Sequence, residues 1–289
     1  MNPGEPSRTA LMIARQRAAH QVLDHGSILH DPFAVSILRE DEQDLLQFAS
    51  KHPQASIGRL FTAARSRIAE DAIAKAVERG VRQIVILGAG LDTFALRNPH
   101  GARNIRIYEV DHPATQAWKR QRLAEANVAV PPWLVFVPVD FERDDLGEKL
   151  APAGLQRDSP AFFTWLGVVP YLTPDAIERT LHTISSIPDA EVVFDFMEPP
   201  EAFSADLRQL EKARTQQLEK MGERSDTRFE SAKMAATLRA HGFDAIEDID
   251  FRQIVDRFGP AIPTLAPGHL GAHIVHATHS RNLVINRKQ

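Results

Sequence analysis

The chain has 289 residues, 43% of them hydrophobic and 25% charged, enough for a sizeable core in one large α/β domain or two small ones. A net charge of −4 carries no basic surplus for a phosphate backbone, which argues against nucleic acid as a partner. The absence of cysteine excludes disulfides, thiolate metal sites, iron–sulfur clusters and cysteine nucleophiles together.

The opening stretch Met1–Arg8 lacks the apolar core of a signal peptide, and the longest apolar runs are strand-sized. Spanning a bilayer takes roughly 20 apolar residues, so a soluble cytoplasmic protein without a membrane partner is expected. The first 80 residues read as helical. Thr9 to Leu23 is rich in Ala, Arg and Gln, and Asp31-Pro32 has the form of a helix start, with Pro at the first helical position. Ser56 is a candidate cap for a longer helix reaching about Glu78, with Gly80 just past its end. Ile57, Leu60, Phe61, Ala64 and Ile68 form its amphipathic stripe, and Arg65 and Arg67 flank the stripe on opposite sides.

From Val81 the rhythm changes. Apolar, β-branched or aromatic runs fall at Gln83–Leu87, Ile105–Val110, Trp133–Val139, Ala161–Val169, Glu191–Phe196, Ala245–Ile249 and His273–Ala277. Helical patterning separates the first six, at Asp92–Arg97, Pro113–Ala126, Asp144–Leu150, Pro174–Ile184 and a long piece from Glu201 through Ala240. The last two runs are joined by a loop rich in Pro and Gly without a clear helix. This alternation predicts an α/β, Rossmann-like fold: a seven-stranded, mostly parallel sheet with helices on both faces, open to an antiparallel last strand. No repeat or low-complexity linker is present, so residues 1–289 are expected to form one domain, with 1–79 a helical cap and 80–289 the core.

The first run, Ile84-Val85-Ile86-Leu87, ends in the turn Gly88-Ala89-Gly90, and Asp111 closes the second run about 20 residues later. Glycine lets the backbone approach a ligand, and an acid at that spacing accepts from ribose hydroxyls. A dinucleotide turn needs a third small residue where Thr93 stands, and Asp92 would repel a pyrophosphate at the helix N-terminus. The loop therefore suits a nucleoside without phosphates, of which S-adenosylmethionine is the common one. The plain alternative is a tight strand–helix turn.

Leu87-Gly88-Ala89-Gly90-Leu91-Asp92-Thr93, Glu109-Val110-Asp111-His112-Pro113 and Val139-Asp140-Phe141 together resemble the leucine carboxyl methyltransferase family. More closely, they resemble its bacterial branch of S-adenosylmethionine-dependent O-methyltransferases. Asp31-Pro32-Phe33-Ala34, Ala64-Arg65-Ser66-Arg67 and Phe163 to Thr173 are similar to further motifs of the family, and the likeness covers roughly residues 8 to 200. It implies a class I methyltransferase fold and S-adenosyl-L-methionine as cofactor. It also implies that Arg65, or more weakly Arg17, pairs with the methionine carboxylate and that Gly88 and Gly90 pass the methionine and ribose. Asp111 would accept from the ribose, with His112 packing beside it. Asp140 would accept from the adenine amino group, with Phe141 beside the ring, and Leu166 and Gly167 would adjoin the cofactor. Many members carry a glutamate where this chain has Leu166, a departure that bears on the substrate more than on the cofactor.

The reaction these residues imply is in-line methyl transfer to a carboxylate or phenolic hydroxyl of a small-molecule acceptor. A carboxylate with a pKa near 4 needs no base, whereas a phenol near 10 does. No residue among the 12 histidines has a clear claim to that role. His20, His25 and His30 lie in the N-terminal cap, each more in keeping with a surface or structural histidine. On one strand His276 faces away from His273 and His279, which argues against a shared metal. Tyr171 is placed at the substrate mouth, either to orient the acceptor or as a packed aromatic. An NAD(P)-dependent oxidoreductase and a non-catalytic cofactor-binding regulatory protein are the competing readings. Against the first stand Thr93 and the lack of a Tyr-x-x-x-Lys pair; Leu166 keeps the second open.

Overall fold

The computed structural model describes residues 7–50, 55–202, 208, 211–212, 215–216, 227–262 and 271–279. Three helices come first: α1 (Arg8–Leu23), α2 (Glu42–Ser50) and α3 (Ala55–Glu78). Strands and helices then alternate: β1 (Gln83–Leu87), α4 (Phe94–Arg97), β2 (Arg106–Asp111), α5 (Pro113–Glu125), β3 (Leu134–Pro138), α6 (Leu146–Leu150) and β4 (Ala161–Trp165). After α7 (Pro174–Ser185) and β5 (Glu191–Met197) come α8 (Ser231–Ala240), β6 (Ala245–Asp250), α9 (Phe251–Phe258) and β7 (Ala272–Thr278).

The seven strands form one sheet in the order β3-β2-β1-β4-β5-β7-β6. β1 to β5 pair in parallel, and β7 runs antiparallel to both β5 and β6. This is the α/β, Rossmann-like sheet that the run order predicts. β1 and β4 are central and buried along their whole length, which is why they read as unbroken apolar runs. Alternate side chains still go to opposite faces. Ile84, Ile86, Ile107, Phe162 and Val193 meet the α3 stripe, including Ile57, Leu60, Ala64 and Ile68, together with Phe251 and Ile254 of α9. Val85, Leu87, Tyr108, Phe163, Trp165 and Phe194 meet Leu150 of α6, Ile177 and Leu181 of α7 and Leu238 of α8. A smaller cluster joins Ala14 and Ala18 of α1 to Ile37, Leu38, Leu45, Leu91 and Leu123.

Several expectations need correction. Asp31-Pro32 does not open a helix; residues 32–39 form successive turns, with the Asp31 carboxylate accepting from the Phe33 N–H at 3.1 Å while its other oxygen meets Thr93 and Arg17. Ser56 lies within α3, which already runs at Ala55. The fourth run stops being a strand at Trp165 and ends in a 3-10 turn at Val169–Tyr171. The link from β6 to β7 does contain a helix, α9. Its start is fixed by a capping box in which Asp250 and Gln253 exchange side-chain-to-backbone hydrogen bonds. The Pro- and Gly-rich part of that link, and most of the long helical segment after Glu201, lie outside the described residues.

Candidate functional site

A cavity of about 570 Å³ opens at the C-terminal ends of β1, β2 and β4, where ligands bind in open α/β sheets. Two walls enclose it: the loops at the sheet edge, and the helices α1 and α3. Arg65, Gly88, Gly90, Asp111, His112, Asp140, Phe141, Leu166, Gly167 and Tyr171 all line it, as does Arg17.

On the sheet-edge wall, the Gly88 and Ala89 N–H groups donate to the Val110 carbonyl at 2.8 and 3.0 Å, folding the turn back against β2. Gly88 has φ +65°, and a Cβ there would lie 2.2 Å from Val168 Cγ2, so both backbone and space demand glycine. Asp111 accepts from the N–H of Gly90 and, at 2.6 Å, from that of His112. Burial pushes the Asp111 carboxyl above its usual range, against the pull of these N–H groups. A carboxylate has about four lone-pair sites, so two such bonds leave room for hydroxyl donors. His112 caps α5 by accepting from the Ala114 N–H at its Nδ1, 3.3 Å away. Val139 N–H donates to the Asp111 carbonyl at 2.8 Å, which sets Asp140 beside it. Asp140 accepts from the Glu142 N–H at 3.1 Å in its own turn, so the acid both shapes the loop and faces the cavity.

Beneath this wall is a buried ion pair. Lys119 Nζ donates to Glu109 Oε2 at 2.5 Å and to the Asp92 carbonyl at 2.6 Å, tying α5 and β2 to the end of the glycine turn. Burial pushes the Glu109 carboxyl up to about 7, against Lys119, and among the described residues its Oε1 has no hydrogen-bond partner.

The helical wall brings two buried arginines. Arg17 of α1 reaches the Leu91 carbonyl, lies 3.1 Å from Asp31 and 3.5 Å from Asp92, and so balances the acid at the turn. Asp31 also accepts from Thr93 Oγ1 at 2.5 Å and faces Arg97, which forms a paired contact with Glu70 at 2.6 and 3.0 Å. Arg65 of α3 donates to Asp195 of β5 at 3.1 Å. Arg67, two residues on, is exposed and pairs with Asp71 at 2.8 Å.

Leu166 is half-buried and packs against the α3 side of the core while facing the cavity. Tyr171 stands at the mouth on the 3-10 turn, and among the described residues its hydroxyl has no hydrogen-bond partner. His20 lies away from the cavity lining: its Nδ1 faces Asp24 at 3.1 Å, and its Nε2 accepts from the Ile28 and Leu29 N–H groups. His273 stacks on Phe196 and bonds Asp248 at 2.8 Å, whereas His276 packs by Phe162 and bonds Glu191 at 3.1 Å, on the other face of β7.

Asp195 and Lys119 carry no motif of their own, and the Asp31-Pro32 pattern points to a helix start and a family motif without naming Thr93 or Arg17 as partners of Asp31. The available signal was a charge inside an apolar run: Asp195 interrupts Val192-Val193-Phe194 and Phe196-Met197 on a strand that is buried throughout. Such a residue needs a partner.

The model of the leucine carboxyl methyltransferase family matches residues 10–185 of the chain. Among similar proteins is one from Bacillus subtilis named "Putative S-adenosyl-L-methionine-dependent methyltransferase YktD", 31% identical over 221 residues, covering 68% of this chain and 72% of that one. A Mycobacterium tuberculosis protein of the same description, Rv3399, is 32% identical over 197 residues, covering 64% of this chain and only 56% of its own length. Among solved structures, a "putative methyltransferase" from Thermobifida fusca superposes with a TM-score of 0.56, covering 97% of each chain at 14% identity, a likeness of fold alone.

Proposed function

The chain belongs to the leucine carboxyl methyltransferase family, and from that premise we propose that it is an S-adenosyl-L-methionine-dependent O-methyltransferase acting on a small-molecule acceptor. The observation that carries the reading is the gathering of an acid at the end of β2, an acid at the end of β3, a glycine turn and two arginines around one cavity. The chemistry of that set fits the donor part by part. Asp111 accepts from ribose hydroxyls, Asp140 from the adenine amino group with Phe141 and His112 alongside, and Arg65 and Arg17 face the methionine carboxylate. Gly88, Gly90 and Gly167 leave the backbone close to the ligand, and the Leu166 side chain adjoins it.

When bound, the donor supplies an electrophilic methyl group on a sulfonium centre. The residues of this chain bind, orient and exclude water, and positioning of that kind contributes on the order of 7–11 kcal/mol to such a step. We assign the N-terminal segment, residues 1–79, to the cover over the acceptor and residues 80–289 to the cofactor-binding core of the same domain. Tyr171 at the mouth is the candidate contact for the acceptor.

Of the two acceptor classes, a carboxylate fits better than a phenolic hydroxyl. Asp92, Asp111, Asp140 and Glu142 are each already bonded within the chain, and His112 Nδ1 is spent on the α5 cap. A carboxylate is ionised at neutral pH and needs no proton removed. Incubation with methyl-labelled S-adenosylmethionine and a panel of acids and phenols tests this. Label released as methanol by mild base, from carboxylic acids, is the expected result. Base-stable label on phenols would overturn the carboxylate assignment. No transfer to any acceptor, despite tight donor binding, would favour a regulatory binding protein. Thermal stabilisation by NAD(H) but not by S-adenosylhomocysteine would favour an oxidoreductase.

A further inference from the structure

Asp195 is a charged residue in the middle of the sheet, 3% exposed, on a strand whose neighbours are Val193, Phe194, Phe196 and Met197. A lone carboxylate there is costly unless it is paired. Its two oxygens go to two residues of the cavity wall. Oδ2 accepts from Arg65 Nη1 at 3.1 Å, and Oδ1 accepts from the Gly167 N–H at 2.5 Å. Asp195 is absent from the cavity lining, whereas Arg65 and Gly167 are part of it.

The guanidinium of Arg65 is fixed from further sides. It lies 5.6 Å from the centroid of the Phe61 ring. A Cβ on Gly167, which has φ +72°, would lie 2.7 Å from Nη2 and 2.9 Å from Nη1. The glycine therefore gives the arginine the space it occupies. Among the described residues the Asp195 contact is the only hydrogen bond of Arg65, so its other N–H groups remain for a ligand.

We propose that Asp195 is a positioning residue that, with Gly167 as the space-giving partner, holds the Arg65 guanidinium at the cavity wall for a ligand carboxylate. Asp195 acts through Arg65 without touching the ligand. The inference rests on the methyl-donor reading, and it predicts an effect confined to the amino-acid end of that donor.

The experiment compares two probes by calorimetry: S-adenosylhomocysteine, which carries the carboxylate, and 5′-methylthioadenosine, which lacks it. Asp195→Asn should raise the dissociation constant for S-adenosylhomocysteine at least tenfold and leave that for methylthioadenosine within twofold. On an Arg65→Ala background, Asp195→Asn should add less than twofold. Asp195→Glu, which keeps a carboxylate on β5 but changes its reach to the guanidinium, should give a selective loss of the same kind and serves if Asp195→Asn does not fold. Equal weakening of both probes, or no change in either, would overturn the assignment. A wild-type protein that bound neither probe would overturn the methyl-donor reading itself.

Discussion

On the sheet-edge wall of the cavity, Asp111 is held by the N–H groups of Gly90 and His112, and Asp140 by that of Glu142. On the helical wall, Arg65 is held by a carboxylate 130 residues further along, and Arg17 by Asp31 in the segment after α1 and by groups 74 and 75 residues away. The first wall is made by turns and backbone donors at the ends of the paired strands β1, β2 and β3. The second exists only once α1 and α3 have packed beside the sheet. Both walls present charge to one cavity, but the acids of the first are held by backbone N–H groups above a buried Lys119–Glu109 pair, whereas the arginines of the second are themselves members of buried ion pairs, whose partners must arrive together.

The largest expected effect probes the base of the first wall. Lys119→Met leaves Glu109 buried without its partner and should cost about 3–5 kcal/mol in urea unfolding. A loss below about 1 kcal/mol would mean that the turn does not depend on this pair. The same pair sets a pH dependence. The Glu109 pKa is raised from 4.5 to about 7 on folding, so the folded state holds its proton more tightly than the unfolded chain. Its contribution to stability is present below about pH 4.5 and is lost as the pH rises through about 7. The stability of the wild type relative to Glu109→Gln should fall across that window, and a flat difference would refute the shift.

Gly88→Ala is next, because it adds a Cβ against Val168 at a positive φ. Strain and overpacking together should cost roughly 2–4 kcal/mol, read as a lowered unfolding midpoint. Asp111→Ala should raise the dissociation constant for S-adenosylhomocysteine at least tenfold, about 1.4 kcal/mol, by calorimetry. An unchanged constant would remove Asp111 from the ribose contact and with it the division of labour between the walls. The smallest effect sharpens the contrast within α3. Arg67→Ala breaks an exposed pair with Asp71 and should change stability by less than about 0.5 kcal/mol and leave ligand binding unchanged. A loss like that of Arg65→Ala would show that burial and pairing are not what set Arg65 apart.

The difference between the walls is also the difference between what could and could not be read beforehand. Gly88, Asp111 and Asp140 stand at strand ends, and a strand end with its turn is a local pattern. The α3 stripe placed Arg65 beside the core, yet nothing in its neighbourhood named Asp195. Asp31 read as the start of a helix because Asp-Pro has that form. In the folded chain its carboxylate accepts from the Phe33 N–H in a run of turns and also meets Thr93, Arg17 and Arg97. The Pro- and Gly-rich composition of the link after β6 points to a loop, whereas the Asp250–Gln253 capping box starts α9 there.

By itself the sequence determined the alternation of strands and helices, the parallel sheet and the glycine turn with its two acids. Hydrophobic period, turn chemistry and capping act over a few residues, and so they are written where they act. Only the tertiary structure decided which cation meets which carboxylate: Arg65 with Asp195, Arg17 with Asp31 and Asp92, Lys119 with Glu109. A buried charge is tolerable only beside its partner, and packing brings that partner from wherever in the chain it lies.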